Sequence, residues 1–324
     1  MKIFLTGGTG FFGRSLLRFW LSTLPVSVKI TSVCVLSRNP QKFLKQYPEF
    51  VGHTWLQFHQ GDILIPTSLP KNGGFSHILH AAADSTLGPQ LTPLDRYSQI
   101  VDGTRNLLDY AAKCGIQRFL LTSSGGVYGP QPQDMDLILE DYNGMPDPLS
   151  HENAYSVAKR CAEHICAIYR NRFGIEIVIA RCFTFIGRDL PLDAHFAIGN
   201  FINDAISRNE ILVRGDGCAV RTYLDQRDLA HWLTIMLTEG VDGEAYNVGS
   251  DVPITIKELA FLVRDNLAPI KNVIISSYTS TKNFRERYVP SIAKAKKQLN
   301  LKVQFSIQEA IQEVITSFKN DYFR

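Results

Sequence analysis

Six short apolar runs alternating with helical segments, and a glycine triplet directly after the first run, predict an α/β chain. Its plan is a Rossmann-like doubly wound parallel sheet with a smaller, partly interleaved C-terminal lobe. The runs are "KIFLT" (2–6), "TSVCVL" (31–36), "WLQFH" (55–59), "HILHAA" (77–82), "RFLLTS" (118–123) and "IEIVIAR" (175–181). Most are apolar at consecutive positions, the pattern of strands covered on both faces, as in a parallel sheet flanked by helices.

Between these strands the sequence predicts helices at "FFGRSLLRFWLSTL" (11–24), "DRYSQIVDGTRNLLDYAAKC" (95–114) and "NAYSVAKRCAEHICAIYRNRF" (153–173). The last two end at Gly115 and Gly174, where a left-handed C-cap is expected. After about residue 183 the alternation loosens. A helix near 195–208, a strand pair formed by "ILVRG" and "VRTYL", a helix at 226–238, a strand at "AYNVG" and helices at 255–267 and 306–319 are expected. The domain division that follows is 1–182 for the nucleotide-binding sheet and 183–324 for the second lobe. Some of that lobe's segments return to the sheet, and a ligand cleft is expected between the two parts.

The 324 residues, 45% apolar and 20% charged, suffice for a substantial core, and the net charge of +3 is too small to argue for nucleic acid. Six cysteines without CxxC pairs read as reduced thiols. "MKIFLTGG" has no signal-peptide core, and no run reaches the roughly 18 apolar residues of a membrane span, so a cytoplasmic protein is expected. His80 and His195 lack a clustered ligand pattern, and no metal is expected. The basic "AKAKKQ" (293–298) reads as a solvated helix face.

"FLTGGTGFFGR" places Gly7, Gly10 and Gly13 between a strand and a helix. There they allow a tight turn, close approach of a pyrophosphate, and helix–strand packing. Thr9, Phe11 and Phe12 are expected to line the same cofactor site. Where an NAD site carries an acid after the second strand, this chain has Ser37 and Arg38, with Arg14 after the glycine loop. NADP is therefore favoured over NAD. Asp62, in "HQGDIL", is placed to accept from the adenine amino group, with Ile63 beside it.

Tyr155 and Lys159, four residues apart, share a helix face. A phenol has an ordinary pKa near 10, and a neighbouring ammonium stabilises its phenolate, so the pair can accept and return a proton near neutral pH. Ser123 and Ser124 fall at the C-terminal end of the fifth strand, where open α/β sheets carry their sites.

Taken together, GxxGxxG, "GDI" (61–63), "HAAA" (80–83), "SSGGVYG" (123–129), YxxxK, "ARCFTFIG" (180–187), "VRTYLDQRDLA" (220–230) and "AYNVG" (245–249) resemble, over nearly the full length, one known family. It is the NAD-dependent epimerase/dehydratase family of extended short-chain dehydrogenases/reductases. The resemblance implies a nucleotide-sugar substrate, with Tyr155 as acid/base, Lys159 as its activator and ribose anchor, and Ser124 as the hydroxyl partner. It also implies that Ala81, Ala82, Ala83, Thr122 and Cys182 line the cofactor cleft, that Arg221 grips the substrate pyrophosphate, and that Arg214 stands at the nucleobase. A homodimer through the helices at 92–114 and 152–173 is implied as well.

Dehydratases and uronate decarboxylases of that family usually carry an acid within two positions after the catalytic hydroxyl. Here those positions are Gly125 and Gly126, which ranks epimerase or 4-ketoreductase above dehydratase. The family's sugar-contacting asparagine is Thr184, its asparagine before "VxGT" is Ile100, and the residues before "DLA" are "DQR". The rival readings are an NADP-dependent reductase of a non-nucleotide carbonyl compound and a non-catalytic dinucleotide sensor.

Overall fold

The computed structural model describes residues 1–23, 30–71, 73–83, 91–192, 194, 196–276 and 286–322. Leu24 at the end of the first expected helix, and His195, lie outside them. By contact density the chain divides into two compact units. One comprises 1–129, 146–182 and 230–246, and the other 130–145, 183–229 and 247–324.

The strands of the large sheet are β1 (Lys2–Thr6), β2 (Ser32–Ser37), β3 (Leu56–Gln60), β4 (His77–His80), β5 (Arg118–Ser124) and β6 (Glu176–Cys182). The shorter β7 (Phe185–Ile186), β8 (Glu210–Val213), β9 (Val220–Arg221) and β10 (Leu224–Asp225) follow, then β11 (Ala245–Val248), β12 (Ile254–Thr255) and β13 (Asn272–Ile275). The helices are α1 (Phe11–Thr23), α2 (Pro40–Gln46), α3 (Pro93–Cys114), α4 (Ala154–Phe173), α5 (Ala197–Ser207), α6 (Gln226–Glu239), α7 (Ile256–Leu267), α8 (Ala293–Leu299) and α9 (Ile307–Tyr322).

The sheet order is β11-β6-β5-β4-β1-β2-β3, with β1 to β6 paired in parallel. Strand order therefore reverses between β1 and β4, and all six carboxyl ends lie on one edge of the sheet, where doubly wound folds bind ligands. Strands β1 and β5 are covered on both faces: Ile3, Phe4, Leu5, Phe119, Leu120 and Leu121 are fully buried. Helix α3 starts earlier than expected, because Pro93 suits a first helical turn and Thr92 caps it through its side chain. Helices α3 and α4 end on Gly115 and Gly174, both left-handed, as the sequence predicts. Helix α2 was not expected; Asn39 caps it and Pro40 opens it.

In the second unit one expectation is corrected. "ILVRG" and "VRTYL" do not pair with each other. Strand β8 runs parallel to β13, from Glu210↔Asn272 to Val213↔Ile275, while β9 pairs antiparallel with β12. The physical reason is that β8 packs against α5 and α7 through buried Ile211 and Val213, and its open edge faces β13, which lies some sixty residues on in the chain. Among the described residues no helix is long and apolar enough to cross a membrane.

A buried histidine ties β4 to its neighbours. Thr104 donates to the Ile100 carbonyl at 2.7 Å, so its oxygen accepts from His80 Nε2–H (3.2 Å), leaving Nδ1 to accept from the Thr6 hydroxyl at 2.7 Å. Burial holds His80 down to about 3, against an ordinary 6.5. The unfolded chain therefore binds more protons between those values, and folding stability falls as pH drops through them. Replacing His80 with Gln is expected to flatten that acid-side decline, by up to about 1.4 kcal/mol per pH unit, in urea titrations between pH 6.5 and 4.

Candidate active site

The cofactor end of the first unit forms at the carboxyl ends of β1 to β4. Gly7 has φ +74°, and a Cβ there would lie 2.3 Å from the Ala81 carbonyl oxygen; a Cβ on Gly13 would lie 2.2 Å from the Gly8 Cα. Neither position tolerates a side chain, because the loop is pressed against both the strand and the start of α1. A Cβ on Gly10 would meet only the Gly7 oxygen, at 3.4 Å, so this glycine faces the open side on which a pyrophosphate would approach.

Gly7, Thr9, Gly10, Ser37, Arg38, Asp62, Ile63, Ala81, Ala82 and Ala83 line one groove, together with Thr6, Leu36, Gly61 and Gln99. Asp62 Oδ1 accepts the Leu64 amide at 2.9 Å, which fixes the turn after β3. Phe11 and Phe12 pack ring against ring at 5.9 Å and, like Gly13, are outside that lining.

A second, adjoining pocket is lined by Thr9, Arg14, Ser37, Arg38, Asn39, Lys42, Phe43, Gln46 and Tyr47, with no acid in its wall. The Arg14 guanidinium lies 5.0 Å from the Tyr47 ring centroid and donates to its hydroxyl. Lys42, Asn39 and Tyr47 come from α2 and its flanks, an element the sequence reading lacked. The adjoining groove and pocket fit a dinucleotide, with glycines where backbone must approach and cations beside Ser37.

The residues expected to handle a proton lie where β5, β6 and α4 meet. Helix α4 brings Tyr155 and Lys159 over the end of β5. Lys159 is buried and its Nζ donates to the Thr122 carbonyl at 2.7 Å. Burial pulls its ammonium down to about 8, with the Glu163 carboxylate acting in the opposite direction. Tyr155 is hydrogen bonded to Ser124, and Lys159 Nζ stands 5.9 Å from its ring centroid. Burial raises the phenol above its ordinary value, while the Ser124 hydrogen bond and the Arg96 charge lower it. Ser124 Oγ also accepts the Gly126 amide at 3.1 Å, which fixes the serine rotamer. Cys182, at the end of β6, is buried, and its thiol is pushed up to about 12, so it stays neutral.

Two groups the sequence reading missed complete this end. Arg96, in the first turn of α3, stacks its guanidinium 4.5 Å from the Tyr155 ring centroid. Glu163, one turn after Lys159, accepts from Ser123 Oγ at 2.5 Å and pairs with Arg181 at 2.8 Å. Arg181 in turn donates to the Tyr128 hydroxyl at 2.9 Å. The i, i+4 step from Lys159 to Glu163 was the available signal for Glu163; nothing local marks Arg96.

The sequence profile of the NAD dependent epimerase/dehydratase family matches residues 3–249. The chain belongs to that family. It is 28% identical, over 99% of its length and 70% of the relative's, to UDP-glucuronic acid decarboxylase 1 of Arabidopsis thaliana. In fold it is similar to the UDP-glucose 4-epimerase of Thermotoga maritima, solved with UDP-glucose, at TM-score 0.83 and 20% identity over 99% of this chain and 100% of the other. It is similar likewise to the dTDP-glucose 4,6-dehydratase DesIV of Streptomyces venezuelae, solved with NAD, at TM-score 0.84 and 22% identity over 100% and 98%.

In this family member the three substrate-side residues named from the sequence lie in the second unit. Arg221 is held by Glu286, at 2.6 Å to the carboxylate and 3.2 Å to the carbonyl, and its partner carboxylate is largely exposed. Thr184 donates its hydroxyl to the Thr222 carbonyl, and Arg214 is exposed just past β8. Among the described residues no His/Cys/Asp/Glu cluster could hold a metal ion.

The Glu163–Arg181 pair is largely enclosed, at 13% and 17% side-chain exposure. Glu163→Gln leaves the guanidinium without its carboxylate, and a loss of about 3 kcal/mol is expected by urea denaturation. A loss below about 1 kcal/mol would mean that solvent already screens the pair.

Proposed function

We propose that this chain is a nucleotide-sugar epimerase or 4-ketoreductase in which Ser124, Tyr155 and Lys159 handle the proton of a sugar hydroxyl. The observation that carries this reading is the pair Gly125–Gly126 beside Ser124. A Cβ on Gly126 would lie 2.5 Å from Ser156 Oγ and 3.3 Å from Ser124 Oγ, so a serine hydroxyl stands where a side chain at 126 would begin. Among the described residues the groups acting on the Tyr155 phenol are Ser124, Cys182, Arg96 and Lys159, none of them a carboxylate. Elimination of water or carbon dioxide requires a proton removed from or returned to a ring carbon, and this surround has no carboxylate for that task.

The residues divide the work as follows. Tyr155 takes the hydroxyl proton as a phenolate, which the positive charges of Lys159 and Arg96 favour. Ser124 holds the same substrate oxygen and passes hydrogen-bond character between it and the phenol. Lys159, anchored on Thr122, keeps its charge next to the phenol and has further donors for a ribose hydroxyl. Bound NAD(P) supplies the hydride acceptor and donor. In the second unit Arg221 exchanges its exposed Glu286 partner for the substrate pyrophosphate, with Thr184 and Arg214 serving the sugar and base. A cytoplasmic homodimer paired through α3 and α4 belongs to the same reading, supported by the exposed Ile168 and Phe173 on α4.

NADP is the favoured cofactor, because Arg14, Arg38 and Lys42 converge on a pocket without an acid beside Ser37. Removing Arg14 and Arg38 together is expected to weaken NADPH binding about ten- to hundredfold, by fluorescence titration, with little effect on NADH. Equal losses for both cofactors would contradict a 2′-phosphate site.

The function is tested with UDP-, dTDP-, GDP- and CDP-sugars, with and without NADPH, read by mass spectrometry and proton NMR. Product of unchanged mass with altered ring couplings marks an epimerase, and reduction of a keto-sugar that requires NADPH marks a ketoreductase. Release of water or carbon dioxide would overturn the reading in favour of dehydratase or decarboxylase. Tyr155→Phe is expected to lower turnover about 10²- to 10⁴-fold with NADPH binding retained.

A further inference from the structure

Arg221 is the guanidinium assigned above to the substrate pyrophosphate, and its partner Glu286 is built into the same unit. Residues 286–288 run beside β9. The Val220 amide donates to the Glu286 carbonyl at 2.8 Å, the Tyr288 amide donates to the Val220 carbonyl at 3.1 Å, and Val220 pairs with Arg287. The backbone of Glu286 is therefore fixed next to Arg221. Arg221 Nη1 donates to two main-chain oxygens, those of Val220 at 3.0 Å and Glu286 at 3.2 Å, which hold the guanidinium in place. Nη2 donates to the Glu286 carboxylate at 2.6 Å. The two side chains differ in their surroundings, Arg221 being 21% exposed and Glu286 72%. A carboxylate so open to water adds little to folding stability, because hydration and salt compete with the pair. Its effect falls on any anion that must reach the same nitrogen.

We infer that Glu286 is an internal competitor for Arg221, an affinity-setting residue that keeps nucleoside-diphosphate binding weak. This deepens the proposed function and rests on its assignment of Arg221 to the pyrophosphate. A phosphoryl oxygen and a carboxylate oxygen call for the same charge-assisted N–H donor. An entering diphosphate must break the bond between Arg221 and the Glu286 carboxylate, so its apparent affinity falls with the fraction of molecules in which that bond is made. The displaced carboxylate, tethered beside β9, then stands close to a second negative charge. The main-chain bonds of Nη1 keep Arg221 in position when the carboxylate leaves, so removing the carboxylate leaves the guanidinium ready for the incoming anion. The consequence is easier release of a product that carries the same diphosphate as its substrate.

The inference is tested by calorimetric titration of UDP, dTDP, GDP and CDP into the full chain saturated with NADPH or NADH, using wild type, Glu286→Gln, Arg221→Gln and the double variant. With the diphosphate that wild type binds most tightly, Glu286→Gln is expected to bind about three- to tenfold more tightly, and Arg221→Gln about tenfold more weakly. In the Arg221→Gln background the Glu286→Gln change should gain less than about twofold, because no guanidinium remains to compete for. Unchanged or weaker binding by Glu286→Gln, with Arg221→Gln still impaired, would overturn the inference and leave the proposed function standing. An equal gain in both backgrounds would also overturn it, since that marks general charge repulsion. Undiminished binding by Arg221→Gln, or binding of none of the four diphosphates by wild type, would overturn the inference together with the pyrophosphate assignment.

Discussion

A buried ammonium is the constraint on which the Ser124–Tyr155–Lys159 cluster depends. Lys159 has left water almost completely, and the backbone carbonyl of Thr122 is the group that receives it. Burial is unfavourable for a cation and pulls this ammonium down to about 8, while the Thr122 carbonyl receives it and the Glu163 carboxylate one helical turn away acts in the opposite direction. Glu163 is itself held by Ser123 and Arg181, so strand β5, helix α4 and strand β6 are joined by one polar network.

The glycine loop imposes a second constraint of a different kind. At Gly7 and Gly13 the backbone of one segment occupies the volume a side chain would take, whereas at Gly10 the space is open. The loop is thus built by exclusion, and the three glycines share a spacing but not a task. The pocket beside Ser37 extends the same site with three cationic side chains, drawn from α1, the end of β2 and α2. Both constraints act within one compact unit, at the carboxyl edge of the same parallel sheet.

Much of this was legible in the sequence because it is encoded locally. The strands of the large sheet are apolar runs, Tyr155 and Lys159 are separated by one helical turn, and Gly115 and Gly174 stop their helices in the left-handed conformation only glycine adopts freely. What stayed hidden depends on contacts distant in sequence. The β8 strand is visible in the sequence, but its partner β13 is short, half-exposed and far along the chain, so local pattern points to the nearer "VRTYL". Lys42 and Tyr47 required α2, whose seven residues show too little periodicity to announce a helix. Arg96 reads as an ordinary charge in a helical first turn, and only the fold sets it against Tyr155, fifty-nine positions later.

Under the proposed function a sugar hydroxyl gives its proton to Tyr155 and its carbon gives hydride to bound NAD(P), and with glycine at 125 and 126 no proton moves to or from a ring carbon. The most direct measurement is turnover of the accepted nucleotide sugar in deuterium oxide, with the product examined by mass spectrometry and NMR for carbon-bound deuterium. An epimerase or 4-ketoreductase working in this way gives a product with none. Deuterium fixed on a ring carbon, accompanied by loss of water or carbon dioxide, would contradict it.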